Sequence, residues 1–317
     1  MPKIILPAIL LSLALCKFLH ASSFSSSAIG TTAGDFLNIG VGARAIAMGG
    51  AYSAAADDST ALYWNPAAMT QVPQQSVTVM HAAYLANSSL DYVAYTDNLG
   101  KYGSFGASLD RLSYGSIQET DASFNNIGSV SPYDLAATLG YAYQFADSGL
   151  GVLNGFSLGL SGKFIESQLL STAQTEAFDF GLLSPAYLDH RLRLAFTVQN
   201  LGGTLQYEQI PEPLPFTLKL GSAYHISANW LATADIGFPK GDAPYINLGT
   251  EYLLVSDGFW RFAARGGFNS QTYTNVAGFS GPSFGFGVGY KGFDTDYAFV
   301  PYSILGSAQR ISLSYGF

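Results

Sequence analysis

The last eight residues, Arg310-Ile311-Ser312-Leu313-Ser314-Tyr315-Gly316-Phe317, alternate strictly between polar or small and apolar. Successive side chains of a strand point to opposite faces, so Ile311, Leu313, Tyr315 and Phe317 share one face and Arg310, Ser312, Ser314 and Gly316 the other. The same alternation recurs upstream. Tyr133, Leu135, Leu139, Tyr141 and Tyr143 oppose Asp134, Ala136, Thr138, Gly140, Ala142 and Gln144. Phe156, Leu158, Leu160 and Phe164 oppose Ser157, Gly159, Ser161 and Lys163, and Phe284, Phe286, Val288 and Tyr290 oppose Ser283, Gly285, Gly287 and Gly289. From residue 74 onward the pattern predicts about fourteen strands: 74–84, 90–97, 102–118, 132–145, 156–168, 176–187, 191–200, 214–225, 230–238, 245–254, 260–269, 283–291, 293–301 and 308–317.

A half-buried strand of a soluble sandwich alternates too, so composition has to decide. Only 11% of the 317 residues are charged, against about 25% in ordinary soluble domains. Aromatics make up 14% and there are 35 glycines. Beyond the N-terminus no apolar run approaches the roughly 20 residues of a membrane helix. High apolar content without long apolar runs is what a membrane β-barrel requires, because lipid-facing residues alternate with small or polar lumen-facing ones. A soluble sandwich or β-helix leaves the low charge and the aromatic strand ends unexplained. The reading is therefore all-β: a transmembrane antiparallel barrel of about fourteen strands, closed because an even strand count sets first and last strands side by side. Short connections (Asn98–Lys101, Leu188–His190, Ile226–Asn229, Val255–Phe259, Gly292) alternate with long ones (Glu119–Ser131, Leu201–Pro213, Ser270–Pro282), as periplasmic turns alternate with outer loops. Ala146–Gly155 is long for a periplasmic turn. Phe156, Leu158, Leu160, Phe284, Phe286, Ile311, Leu313 and Tyr315 are expected on the outer surface.

Residues 1–21 read as a secretory signal, with Lys3, an apolar core from Ile4 to Leu15, and cleavage near Ala21 or Ser23. Cys16, the single cysteine, falls inside it; Leu15 is too large for a lipobox, so lipidation of Cys16 is disfavoured. Residues 22–73 form a second unit, rich in Gly, Ala and Ser, apolar and poor in charge, with no strand pattern that could join a wall. A lumen is the place left to bury it, so it is expected as a hatch inside the barrel of residues 74–317. Within it, residues 54–61 are expected to make a short helix, and Asn65-Pro66-Ala67 a tight turn near the first strand. Arg44 and Asp57 or Asp58 would then need partners on the lumen face, since a buried unpaired charge is expensive.

Few residues suggest chemistry. The net charge is −8 with no basic cluster, which excludes nucleic acid as a partner. Gly40-Val41-Gly42-Ala43-Arg44-Ala45 fits a dinucleotide-binding spacing, but lacks the preceding strand and the βαβ unit that give it meaning. Ser76, His81 and Asn87 invite comparison with a membrane hydrolase, yet no motif assembles nucleophile, base and orienting group. His190 and His225 fall in a turn and at a strand end. The four histidines are dispersed, and Asp57-Asp58 or Asp294 with Asp296 are too few for a metal site. No catalytic residue, cofactor or metal is expected. The predicted lumen face carries Asp110, Asp134, Lys163, Asp179, Arg193, Lys219, Asp235, Glu251, Arg261, Arg265, Asp294, Asp296 and Arg310. Such mixed signs favour ion-pair networks over a selectivity ring.

Gly42-Ala43-Arg44-Ala45, then Met48-Gly49-Gly50-Ala51, Ala56-Asp57-Asp58 and Trp64-Asn65-Pro66-Ala67, resemble the N-terminus of the PorV/PorQ family within the FadL-like outer-membrane proteins. The Asp-Asp and Asn-Pro-Ala elements also resemble the hatch of the FadL fatty-acid transporters. The terminal strand, with Tyr315 and Phe317, resembles the closing strand and assembly signal of bacterial outer-membrane barrels. The resemblance implies a FadL-type barrel with a lumenal hatch whose motif residues are Arg44, Gly49, Gly50, Asp57, Asp58, Asn65, Pro66 and Ala67. It implies location in the bacterial outer membrane, with membrane lipid and the barrel assembly machinery as partners. Two functions follow from it: passive transport of a small hydrophobic or amphipathic compound, and a role as a PorV-like component of type IX secretion that meets secreted protein cargo. An outer-membrane hydrolase is a further alternative. Outer loops of about 5 to 15 residues are short for the capture groove of a fatty-acid transporter.

Overall fold

A computed structural model describes residues 24–145, 153–207, 209–256 and 259–317. The signal segment with Cys16 and most of the Ala146–Gly155 connection lie outside the described residues. Fourteen antiparallel strands close into one barrel: β1 (Gln75–Ala83), β2 (Ser89–Asn98), β3 (Ser104–Ser113), β4 (Tyr133–Gln144), β5 (Ser157–Gln168), β6 (Thr172–Leu183), β7 (Leu192–Gly202), β8 (Thr217–Ser227), β9 (Trp230–Pro239), β10 (Tyr245–Ser256), β11 (Trp260–Asn269), β12 (Pro282–Tyr290), β13 (Phe293–Pro301) and β14 (Ser307–Gly316). Each pairs with its neighbours in sequence, and β1 closes the ring on β14 in the register Val77↔Tyr315. Among the described residues no helix is long and apolar enough to cross a membrane; strands of 9 to 12 residues match the length at which a tilted strand spans a bilayer.

The alternation sets the two faces. Leu160 is 62% exposed, whereas Lys163, on the opposite face, is 6% exposed. Phe284, Phe286, Ile311 and Leu313 are likewise exposed, while Lys219, Asp235 and Arg265 are buried. A soluble sandwich would have buried the first set.

Three local expectations are corrected. The sixth strand is Thr172–Leu183 rather than 176–187, because the ladder ends where Ser184 meets Pro185, which has no N–H to donate. The third strand stops at Ser113, since Gly115 takes a positive φ of 76° and residues Ile117–Thr120 leave the wall to pair with Asn126–Val130. The expected helix at 54–61 is absent; helices run over Ala43–Ala47 and Ala61–Trp64. Asp58 Oδ1 accepts from the Thr60 backbone N–H at 2.8 Å, a side-chain turn that competes with helix until residue 61.

Both chain ends of the barrel, Gln75 and Phe317, lie at one end and are joined there by backbone hydrogen bonds of 3.1 Å. We call this the near end. The far end carries three long connections, of which 203–216 folds back as a small hairpin, Thr204–Leu205 with Glu212–Pro213. It buries Leu205 and Leu214, and Pro213 O accepts from Ala33 N at 3.0 Å.

Candidate functional site

The N-terminal segment is hydrogen-bonded to the inward face all round the wall. Ala43 N donates to Ser312 Oγ on β14 at 2.8 Å. Gly49 N donates to Ser283 Oγ on β12 at 3.1 Å. Ser53 N donates to Asp235 Oδ2 on β9 at 3.1 Å, Ser59 Oγ to Thr78 Oγ1 on β1 at 2.7 Å, and Thr70 Oγ1 to Ser157 Oγ on β5 at 2.8 Å. Gln199 Nε2 on β7 donates to Tyr63 O at 2.6 Å. These are short polar side chains at inward strand positions, which satisfy the irregular backbone that an apolar lumen would leave orphaned.

Glycines provide the room. A Cβ at Gly159 or Gly181 would overlap Asn65, Pro66 or Ala67, and one at Gly249, Gly267 or Gly285 would overlap residues Ala47 to Gly49. This fixes where Asn65-Pro66-Ala67 sits. It forms the expected turn, with Asn65 Oδ1 accepting from Ala67 N at 3.0 Å and a 3-10 helix over Pro66–Gln71. The expectation that it lies near the first strand is corrected: it packs on β5 and β6, where paired glycines clear the wall. Gly49 (φ 69°) and Gly50 (φ 75°) carry the chain through a left-handed turn, the first pressed against the backbone of Leu248 and Phe268.

Five of the charged groups, Asp57, Arg44, Glu251, Arg265 and Asp296, form a connected chain. Arg44 Nε and Nη2 donate to Glu251 Oε2 and Oε1 at 2.8 and 2.9 Å, and its Nη1 meets Asp57 Oδ1 at 2.5 Å. Glu251 Oε2 also accepts from Arg265 Nε at 2.6 Å, and Arg265 Nη1 donates to Asp296 Oδ1 at 2.6 Å. Arg261 pairs with Asp294 at 2.6 Å nearby, both partly exposed. Lys163 pairs with Asp179 at 2.8 Å and donates to Asn200 at 2.7 Å. Asp134 accepts from Tyr114 Oη at 2.6 Å and from Ser167 Oγ. Asp58 binds Tyr52 Oη at 3.2 Å besides its turn. Two cations stand apart. Lys219 lies 5.2 Å from the Trp64 ring, and Arg310 lies 5.6 Å from the Tyr84 ring; neither makes an ion pair among the described residues. Asp110 keeps one oxygen without a partner.

Two cavities border the segment. The near-end one, about 610 Å³, is lined by Arg44, Asp57, Asp58, Arg261, Asp294 and Asp296. The far-end one, about 310 Å³, is lined by Trp64, Tyr84, Lys219, Asn247, Tyr302 and Arg310, among others. Sequence reasoning did not find the second; Tyr84 lies in a loop, and the position of Asn247 over the segment depends on register.

The other candidates separate. Ser76 is buried and faces inward, accepting from Ser59 N at 3.2 Å. His81 is exposed on the opposite face of β1, 2.6 Å from Asp91, so these two cannot form a nucleophile–base pair. Gly42 (φ 80°) precedes a five-residue helix, with no strand before it among the described residues. No group of metal-ligating residues occurs among the described residues. Tyr315 stacks outside the wall between Phe293 (4.1 Å) and Phe317 (5.3 Å).

A family model described as type IX secretion system protein PorV matches residues 22–233. No curated protein matches the chain. Among solved structures, the Pseudomonas putida toluene transporter TodX aligns at 16% identity and TM-score 0.57, covering 87% of this chain and 96% of that one. The Ralstonia pickettii toluene transporter TbuX aligns at 15% and 0.55, covering 88% and 98%. A Pseudomonas aeruginosa FadL homologue aligns at 13% and 0.54, covering 87% and 97%. At these identities the likeness establishes a shared FadL-type barrel fold.

Proposed function

Because the chain belongs to the type IX secretion system protein PorV family, we propose that it is an outer-membrane component of protein export, a closed barrel whose outer loops meet secreted cargo or a partner protein. In this reading residues 22–73 are a fixed hatch, the near end faces the periplasm, and Tyr315 and Phe317 are the signal read by the assembly machinery. The observation that supports it is the far end. Phe124 and Ile304 are each 89% exposed, and Ile127, Leu170, Ile210 and Phe279 are exposed on four connections there. Apolar side chains so displayed beyond a wall suit a protein partner, whereas the near-end lumen cavity is lined largely by charged and polar groups. The test is complementation in the host. Deleting the gene should reduce the amount of exported protein at the cell surface. A variant with Phe124, Ile127, Ile304 and Leu305 changed to serine should fold but fail to restore it. Unchanged surface protein in the deletion strain would remove this reading.

A second reading, passage of a small amphipathic compound, is favoured by the far-end cavity and by the shared fold. Removing residues 24–72 should then raise single-channel conductance in planar bilayers; an unchanged conductance would deny the segment any gating role.

A further inference from the structure

We propose that the far-end cavity is a binding site for a small organic carboxylate with an aromatic body, its carboxylate seated on Arg310. The starting point is an unsatisfied cation. Arg310 is 2% exposed, and its Nε and Nη1 have no hydrogen-bond partner. On β14 it stands in register with Ala82 of β1 and Ala298 of β13, so neither flanking strand offers it a carboxylate. Its described neighbour is the Tyr84 ring at 5.6 Å. A buried guanidinium left this way loses hydration without gaining bonds. Its planar fork matches a carboxylate bidentately, a pairing of opposite charges that adds geometric specificity to its strength.

The surroundings narrow the ligand. Lys219 supplies a second cation on the same cavity, over the Trp64 ring, with Asp235 near enough to act on its charge but not in ion-pair contact. The one acid on the lining is Asp35, which already accepts from Thr32 Oγ1 at 2.9 Å. A cationic cavity in a chain of net charge −8 is a local arrangement, not the background of the molecule. Tyr84, Tyr302 and Trp64 line it with aromatic surface. At about 310 Å³ it falls at the lower end of small-molecule sites, roughly 300–1,000 Å³. A neutral hydrocarbon would fill the aromatic part and leave Arg310 unpaired; an inorganic anion would do the reverse. A compact aromatic acid satisfies both. The inference deepens the second reading above, and rests on it only for passage after binding.

Benzoate is the probe, titrated against the full barrel purified in detergent, with Trp64 fluorescence as the signal. Trp230 and Trp260 are exposed on the outer face and are replaced by phenylalanine to isolate it. Benzoate should bind saturably, with toluene and benzamide weaker by roughly tenfold or more, the loss expected for one charge-assisted pair. Arg310→Gln should weaken benzoate by a similar factor and leave toluene unchanged. Folding of each variant is read from its heat-dependent gel mobility. If Arg310→Gln does not fold, Asn247→Asp, which places an acid on the lining, takes its place and should weaken benzoate severalfold. Absence of saturable benzoate binding, equal affinity for toluene, or a folded variant that binds benzoate as tightly as the native protein overturns the site. Benzoate binding without benzoate flux across vesicles upholds the site and removes the uptake reading.

Discussion

On the near side of the lumen Asp57, Arg44, Glu251, Arg265 and Asp296 are joined in series by contacts of 2.5 to 2.9 Å; on the far side Arg310 and Lys219 lie over aromatic rings and make no ion pair among the described residues. Glu251, Arg265, Asp296, Lys219 and Arg310 are all buried charges at inward strand positions. The difference is what the flanking strands present. Arg265 faces Glu251 directly across the β10–β11 pair, whereas Arg310 faces two alanines. Buried charges joined in series hold two parts of the chain together, here the N-terminal segment and the wall. Buried charges without partners have nothing of their own to hold.

This contrast can be broken most severely at Glu251. Replacing it by leucine removes the acceptor that Arg44 and Arg265 share and leaves them Asp57 and Asp296 alone; removal of one partner from a buried pair costs about 3–5 kcal/mol. The unfolding midpoint in urea should drop accordingly; a drop no larger than that of Lys219→Met would refute the structural role of the series. The outer wall supplies the next effect. Leu160→Arg puts a cation where neither protein nor water meets it, at about 2–4 kcal/mol near the bilayer midplane, measurable by folding into lipid vesicles. A cost near zero would place Leu160 outside the membrane band. The smallest effect is expected at Lys219→Met. It removes a cation whose visible contact is a ring, a change of about 0.5–2 kcal/mol, while benzoate affinity falls. A large loss of stability there would mean that Lys219 belongs to the structural set.

Much of the wall could be read from the chain because period-two alternation fixes faces without knowledge of neighbours. Tyr133–Gln144 and Trp260–Asn269 come out within a residue of expectation. The sixth strand is displaced because Thr172, Ala173, Gln174 and Thr175 include no large apolar side chain to mark a face, and Pro185 ends the ladder earlier than alternation alone indicates. Burial of the N-terminal segment followed from its poverty in charge, but its contacts did not: Arg44 and Glu251 are 207 positions apart, and only the barrel register brings them together. Lys163, Lys219, Arg265 and Arg310 look alike in the sequence as inward cations. What divides them is the identity of residues on adjacent strands, such as Ala82 and Ala298, which alternation alone cannot pair.

The ring closes through contacts such as Thr78 with Ser314, 236 positions apart. Long-range pairing must overcome loop-closure entropy before it gains contacts, so this seam is the most demanding join in the wall. The N-terminal segment bonded to the inward face is synthesised before any strand. Its hydrogen bonds reach β1 through Ser76 and Thr78 and β14 through Ser312, the two strands that meet at the seam. If residues 22–73 are the hatch proposed above, biogenesis acquires an order of events: a segment bonded to both sides of the seam would carry one half toward the other, and closure of the last strand would enclose it.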